Sequence, residues 1–231
     1  MQEQQNSPLR VLLVDDQSLL RMGFRLVLEN VGIEVVGEAS HGQEAIEMVQ
    51  KHHPDVVLMD IRMPVMDGIT ATQKITSMSD SKVIILTTFD LDEYAFSGLR
   101  AGASAFVLKD IRPEDLIAAI HTVNAGESMV TPTLTARLVK EYAEDSSLGQ
   151  AAIHGYQYLI DSLTAREKDM VGAIAEGLSN AEIAQQFFLS ETTVKTHVRS
   201  ILSKLNLRDR VQVVVFAYES GMVRPHRTSG Q

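Results

Sequence analysis

Apolar and polar positions divide this chain into two parts with different periods. In the first part short apolar runs recur: Val11-Leu12-Leu13-Val14, Val56-Val57-Leu58-Met59, Val83-Ile84-Ile85-Leu86 and Phe106-Val107-Leu108. Continuous apolar runs bounded by turn signals predict strands of a parallel sheet buried on both faces. The pattern predicts strands at 9–14, 34–39, 55–59, 82–87 and 104–108, and helices at 18–30, 42–52, 67–78, 91–101 and 113–125. Strand and helix alternating five times imply right-handed βαβ units with helices on both faces. The expected fold class is α/β, a doubly wound five-stranded parallel sheet. In the first helix Leu19, Leu20, Phe24, Leu26, Val27 and Leu28 mix core positions, while Arg21, Arg25 and Glu29 fall at i, i+4 on the wet face. Gly98, Gly102 and Gly126 suit close packing or helix ends.

The second part has a helical period throughout. Thr164-Ala165-Arg166-Glu167 and Ser179-Asn180-Ala181-Glu182 both fit the capping box, in which side chains satisfy orphan helix N–H groups reciprocally. They predict a helix ending at Glu176-Gly177 and a short one from Asn180 to Phe187. A third starts at Ser190, with Val194, Val198, Ile201, Leu202 and Leu205 on one side and Thr192, Lys195, Thr196, Arg199 and Ser203 on the other. A fourth, Arg210 to Ser220, carries the stripe Val211, Val214, Val215 and Tyr218. This is a smaller, all-α four-helix domain. Between the two parts, Thr131-Pro132 opens a linker helix, Asp145 to Gln150 reads as a break, and Ala151 to Ile160 is unusually apolar for a free linker. The polar, basic tail after residue 223 is expected to be disordered.

The ends of the strands carry chemistry. Val14 runs into Asp15-Asp16, Met59 into Asp60, Leu86 into Thr87, and Leu108 into Lys109. Ligands of parallel sheets bind at the carboxyl ends of the strands, so three carboxylates, a hydroxyl and an ammonium share one rim. Clustered carboxylates need a cation, and an all-oxygen set suits Mg²⁺. One carboxylate then remains free as a nucleophile that forms an aspartyl phosphate, with Lys109 and Thr87 holding phosphoryl oxygens. Any one of these residues alone also fits a helix cap or a solvated charge; the set in this order argues for a site.

Asp15-Asp16, Asp60 with Met63-Pro64-Val65-Met66-Asp67-Gly68, Leu86-Thr87 and Phe106-Val107-Leu108-Lys109 resemble the receiver domain of two-component response regulators, a CheY-like fold, over residues 8–125. The resemblance implies that Asp60 is the phospho-acceptor. It implies that Asp15, Asp16, Asp60 and the backbone carbonyl of Arg62 bind Mg²⁺. Thr87 and Lys109 take the switch and phosphate-binding positions, and Phe106 the switch aromatic, where receivers more often carry Tyr or His. A partner sensor histidine kinase follows from the same resemblance.

A short helix, a tight turn, and an amphipathic helix with Lys, Thr and Arg outward is the layout of a helix-turn-helix in the major groove, although a polar helical face alone is usually just solvated. Long cations suit guanine edges, the Thr methyl suits thymine, and small hydroxyls suit phosphates. Leu163 to Glu167, Gly177 to Ala184, Ser190 to Val198 and Lys204-Leu205 resemble a LuxR-type helix-turn-helix, residues 160–222. With the receiver and a 126–159 linker, the chain resembles the NarL/FixJ class of regulators. That implies base contacts from Lys195, Thr196 and Arg199, phosphate contacts from Thr192, Thr193 and His197, and Asn180 near the backbone. It also implies promoter DNA with an imperfect inverted repeat, a homodimer when phosphorylated, and dimerisation through Val211, Val214, Val215 and Tyr218 as the alternative to packing within the domain.

Charge sharpens this division. Residues 1–125 hold 10 Lys/Arg against 18 Asp/Glu, whereas residues 161–231 hold 9 against 8, so overall acidity leaves room for a local basic face between Lys195 and Arg210. No stretch approaches the ~18 to 20 apolar residues of a membrane span, the polar start is no signal peptide, and zero cysteines exclude disulfides and thiolate metal sites. A cytoplasmic protein with no membrane partner is expected. Two rival functions remain. A haloacid dehalogenase-type phosphatase would need a second acid two residues after Asp60, where Arg62 stands. A receiver acting through protein partners alone would leave Lys195 and Arg199 without a role. The expectation is a transcription regulator that accepts a phosphoryl group, not an enzyme.

Overall fold

The computed structural model describes residues 8–88, 97–126 and 151–223, and at 151–155 the backbone alone. The expected start of the fourth helix at 91–96, the linker helix at Thr131-Pro132, the break at 145–150 and the tail from 224 lie outside the described residues. The chain divides into two compact units, Met1–Glu127 and Ser128–Gln231. Among the described residues no helix is long and apolar enough to cross a membrane.

In the first unit β1 (Arg10–Val14), α1 (Ser18–Glu29), β2 (Glu34–Ala39), α2 (Gly42–His52), β3 (Val56–Asp60), α3 (Gly68–Met78) and β4 (Lys82–Thr87) follow one another. A helical stretch described at 97–100 (α4), β5 (Ala105–Leu108) and α5 (Pro113–Asn124) complete it. The five strands form one parallel sheet in the order β2-β1-β3-β4-β5, the doubly wound sheet that the alternating pattern implies. Alternate residues of each strand feed opposite faces. Val11, Leu13, Leu58, Ile84 and Leu86 pack with Phe24 and Leu28 of α1 and Leu116 and Ile120 of α5, whereas Leu19 and Leu26, expected among the core positions of α1, lie off that stripe and are exposed. Leu12, Val57, Met59, Val83 and Ile85 pack with Val49 of α2 and Ile75 of α3. Because both faces are covered, the three inner strands β1, β3 and β4 carry unbroken apolar runs rather than alternation.

Strand order reverses between β1 and β3, the point at which the loops on the carboxyl side diverge and open a crevice. The register there pairs Val14 with Met59, Asp60 with Leu86, and Thr87 with Leu108. Asp15, Asp60, Thr87 and Lys109 therefore come off neighbouring strands at one level.

The second unit consists of α6 (Ala151–Ser162), α7 (Ala165–Ala175), α8 (Asn180–Phe187), α9 (Glu191–Leu205) and α10 (Arg210–Glu219). Both capping boxes form: Thr164 with Glu167 and Ser179 with Glu182 start α7 and α8. Ser190 caps α9 through the Thr193 N–H, and Asp209 caps α10 through Val211 and Gln212. The core joins Met170, Val171 and Ile174 to Ile183, Val194, Ile201, Val211 and Val214, all buried. Helix α6 runs through the boundary expected at residue 160. The Tyr156 ring meets Phe216 edge-on, centroids 5.4 Å apart, and its hydroxyl donates to Glu219 Oε2 at 2.9 Å. The apolar stretch before residue 160 is thus a fifth helix that docks on α10.

Candidate functional site

Asp15 and Asp60 are 1% and 5% exposed, although each carries a charge that burial disfavours. Lys109 at the end of β5 answers both: its Nζ lies 2.7 Å from Asp15 Oδ2 and 3.0 Å from Asp60 Oδ2. Asp16 is exposed at the mouth, and ligand oxygens of Asp15, Asp16 and Asp60 all lie within 4.8 Å of one another. Thr87 is buried at the end of β4, and its carbonyl accepts the Lys109 N–H at 2.7 Å. Burial pushes the Asp60 carboxyl above its ordinary pKa despite the opposing pull of Lys109. Burial also works against the Lys109 charge, but hydrogen bonds and Coulomb attraction from Asp15 and Asp60 outweigh it, and its pKa is raised.

These residues fit a divalent cation. Three carboxylates against one ammonium leave two negative charges uncompensated, and every donor is oxygen. Asp15 Oδ2 is shielded from solvent, with the Lys109 ammonium 2.7 Å away. Arg62 lines the cleft beside Asp16, together with Met63 and Pro64, so the loop after β3 borders the acidic group.

That loop is held by local chemistry. Asp67 caps α3, its Oδ1 accepting the Thr70 N–H and its Oδ2 the Thr70 hydroxyl, each at 2.8 Å. Gly68 donates its N–H to Ile61 O at 2.8 Å, and a Cβ there would stand 1.9 Å from the Asp60 carbonyl oxygen. Only glycine allows α3 to begin so close to the acceptor strand. Phe106 is half-buried on β5 against the α3 side of the core. A Cβ on Gly98 would fall 2.5 Å from its ring, so α4 and the aromatic ring meet without a spacer.

On the acidic turn the sequence reading missed a contact. Arg21, assigned only to the wet face of α1, donates from Nη1 to the Asp15 carbonyl at 2.5 Å and from Nε to Glu38 Oε2 at 2.9 Å. Helical spacing shows that Arg21 leaves the core stripe; it carries no signal for which carbonyl the side chain reaches.

In the second unit Thr192, Lys195, Thr196 and Arg199 are exposed along α9, while Thr193 and His197 are half-buried. Val194, Val198, Ile201 and Leu205 bury the opposite face, so the unit presents the polar stripe outward. The Thr196 hydroxyl donates back to Thr192 O at 3.0 Å, leaving its methyl group turned from that bond. Thr193 shares a 2.8 Å hydroxyl contact with the capping Ser190. Asn180 Oδ1 accepts from Arg210 Nη1 at 2.9 Å, and Arg210 Nη2 also donates to Leu178 O, which ties α10 to the start of α8.

The stripe named for dimerisation, Val211, Val214, Val215 and Tyr218, is buried within the unit. The Tyr218 hydroxyl donates to Ala175 O at 3.1 Å. Seven of the ten residues of α10 are buried, so the helix is apolar around most of its circumference and its stripe is used against α7 and its neighbours.

Glu167 is a second residue whose role exceeds the sequence reading. Beyond capping α7, it accepts from Ser200 Oγ at 2.7 Å and from Lys204 Nζ at 2.6 Å, both on α9. Burial alone would raise its pKa, but Lys204, Ser200 and Thr164 outweigh that and lower it to about 2.

Comparison with known families and structures agrees with this arrangement. The response regulator receiver domain matches residues 11–121, and the bacterial regulatory protein family of luxR type matches residues 161–217. The transcriptional regulatory protein YxjL of Bacillus subtilis is 42% identical over 218 residues, covering 94% of this chain and 98% of that protein. LnrK, a transcriptional regulatory protein of the same organism, is 38% identical over 217 residues, covering 93% and 98%. The crystal structure of the response regulator ChrA of a heme-sensing two-component system is similar, with a TM-score of 0.50 and 32% identity over 94% of this chain and 99% of that one.

Proposed function

The chain belongs to the response regulators that join a receiver domain to a LuxR-type DNA-binding domain, and on that premise we propose a transcription regulator controlled by phosphorylation of Asp60. The observation that carries this reading is the buried Asp60 carboxylate at the end of β3, 3.0 Å from Lys109 Nζ and beside Asp15 and Asp16. A carboxylate oxygen of Asp60 attacks phosphorus; the bond from phosphorus to the phosphohistidine nitrogen of a sensor kinase breaks, and its electron pair stays on that nitrogen. Mg²⁺ held by Asp15, Asp16, Asp60 and the Arg62 carbonyl would supply positive charge to the phosphoryl oxygens. Lys109 remains next to the new phosphoryl group, and Thr87 offers it a hydroxyl.

The added group brings roughly −1.5 to −2 charges to this rim. Drawing Thr87 toward it frees room for Phe106 to turn inward and alters the surface formed by α4, β5 and α5 or their neighbours. This favours homodimerisation and raises affinity for promoter DNA. Lys195, Thr196 and Arg199 read bases, Thr192, Thr193 and His197 contact phosphates, and Asn180 lies near the backbone. The protein acts in the cytoplasm as a regulator; its only chemistry is accepting the phosphoryl group and losing it to water.

Incubation with acetyl phosphate and Mg²⁺ should add one acid-stable, base-labile phosphoryl group. Asp60→Asn keeps the shape but removes the anionic nucleophile, so the modification should vanish. Equal phosphorylation of the variant would transfer the role to another carboxylate.

A further inference from the structure

We propose that Arg21 is a positioning residue for the cation site, clamping the backbone of the acidic turn to strand β2 and so setting the directions of Asp15 and Asp16. The inference rests on the reading of Asp15, Asp16 and Asp60 as a Mg²⁺ site. Besides the Lys109 ammonium, three contacts hold Asp15. Its N–H donates to Ala39 O at 3.1 Å, its Oδ1 accepts the Gln17 N–H at 2.8 Å, and its carbonyl accepts Arg21 Nη1 at 2.5 Å. The first and third both lead to the end of β2, because Arg21 Nε is bonded to Glu38 Oε2 at 2.9 Å.

The geometry suits a clamp. Two nitrogens of one planar guanidinium take one partner each, so the separation of the Glu38 carboxylate and the Asp15 carbonyl is set by a rigid group. Glu38 is itself fixed, its other oxygen accepting Arg25 Nε at 2.7 Å, and Arg25 reaches on to Glu29 at 2.8 Å. The Arg21 side chain is only 15% exposed. Holding the Asp15 carbonyl fixes the planar peptide that joins Asp15 to Asp16. Asp16 is exposed at the mouth of the site, so this peptide plane aims its carboxylate.

Charge and position make opposite forecasts, which gives the test its force. Arg21 is a cation near the acidic group, so by Coulomb's law alone its removal tightens Mg²⁺ binding. A clamp predicts weaker binding. Magnesium titrations by calorimetry on the full chain, with circular dichroism to verify folding, should be run on the wild type, Arg21→Met, Arg21→Lys and Glu38→Gln. Loss of a residue that orients a metal ligand costs roughly tenfold or more in affinity, and about that loss is expected for Arg21→Met. Arg21→Lys keeps the charge but cannot reach both partners with a fixed fork, so it should resemble Arg21→Met rather than the wild type. Glu38→Gln should weaken binding as well, by charge and by position together, so Arg21→Lys, whose charge is unchanged, carries the test if Arg21→Met does not fold. Unchanged or tighter Mg²⁺ binding in Arg21→Met or, should that variant not fold, in Arg21→Lys overturns the clamp while leaving the site reading intact. A wild-type protein that takes up no Mg²⁺ overturns both.

Discussion

At the scale of single residues, Glu167 joins two jobs that the chain places far apart. Its oxygens close the capping box at the start of α7 and receive Ser200 and Lys204 from α9. Its carboxyl titrates at about 2 against an ordinary 4.5, the sign of a charge stabilised by folding. A depressed folded value contributes stability that is complete above the unfolded value and is lost as pH falls through the folded one. Glu167→Gln should therefore cost roughly 2 to 3 kcal/mol at neutral pH. The difference between variant and wild type should shrink from about pH 4.5 toward pH 2. Hydrogen exchange of α9 amides across that range measures it. A constant difference would show that the carboxylate charge contributes nothing.

At the scale of elements, α9 divides its residues between anchoring and contact. Its buried face is held by α7, partly through Glu167, and its exposed face carries Lys195, Thr196 and Arg199. A good bidentate base contact is worth about 1 to 3 kcal/mol of discrimination, whereas a phosphate contact carries no direct sequence information. Lys195→Ala and Arg199→Ala should each weaken specific binding and relax preference at one or two base pairs of a half-site. Thr193→Ala should lower specific and nonspecific affinity more evenly, because the contact proposed for Thr193 is to a phosphate. Affinities for single-base operator variants decide the matter. Unchanged preference in both cation variants would put a different face of α9 on DNA.

At the scale of the whole molecule, the proposed function links the two units: chemistry at Asp60 in the first and reading of DNA by α9 in the second. Phosphorylated protein should sediment as a dimer at concentrations where the unmodified chain is monomeric, and it should bind its operator more tightly. The operator should be an imperfect inverted repeat, with half-sites entered about one helical turn apart. Identical sedimentation and DNA affinity in both states would break the proposed coupling. The Val211, Val214, Val215 and Tyr218 stripe is buried within its own unit, so a dimer formed through it would require that packing to open.

The sheet and its rim were legible in the chain because their causes are local and repetitive. A strand covered on both faces has to be apolar at every position, so Val11 to Val14 and Val56 to Met59 stand out. The polar and charged residues that end these runs fall at the carboxyl edge by chain direction alone, which brings Asp15, Asp60, Thr87 and Lys109 to one rim. Capping boxes are equally local, and Thr164 with Glu167 and Ser179 with Glu182 formed as their spacing implies. What faces a helix was not local. Periodicity puts Arg21 off the core stripe of α1 but does not say that it grips the Asp15 carbonyl, since that depends on how α1 packs beside β2. It marks Val211 and Tyr218 as a stripe but not whether α7 or a second chain covers it; tertiary packing assigns the stripe to its own unit. Glu167 was readable as a cap and unreadable as a partner of Lys204, 37 residues away. The sequence alone determined which residues reach the rim and which helix face is polar. Only the tertiary structure decided which polar groups neutralise one another, because that depends on distances between elements that no local pattern encodes.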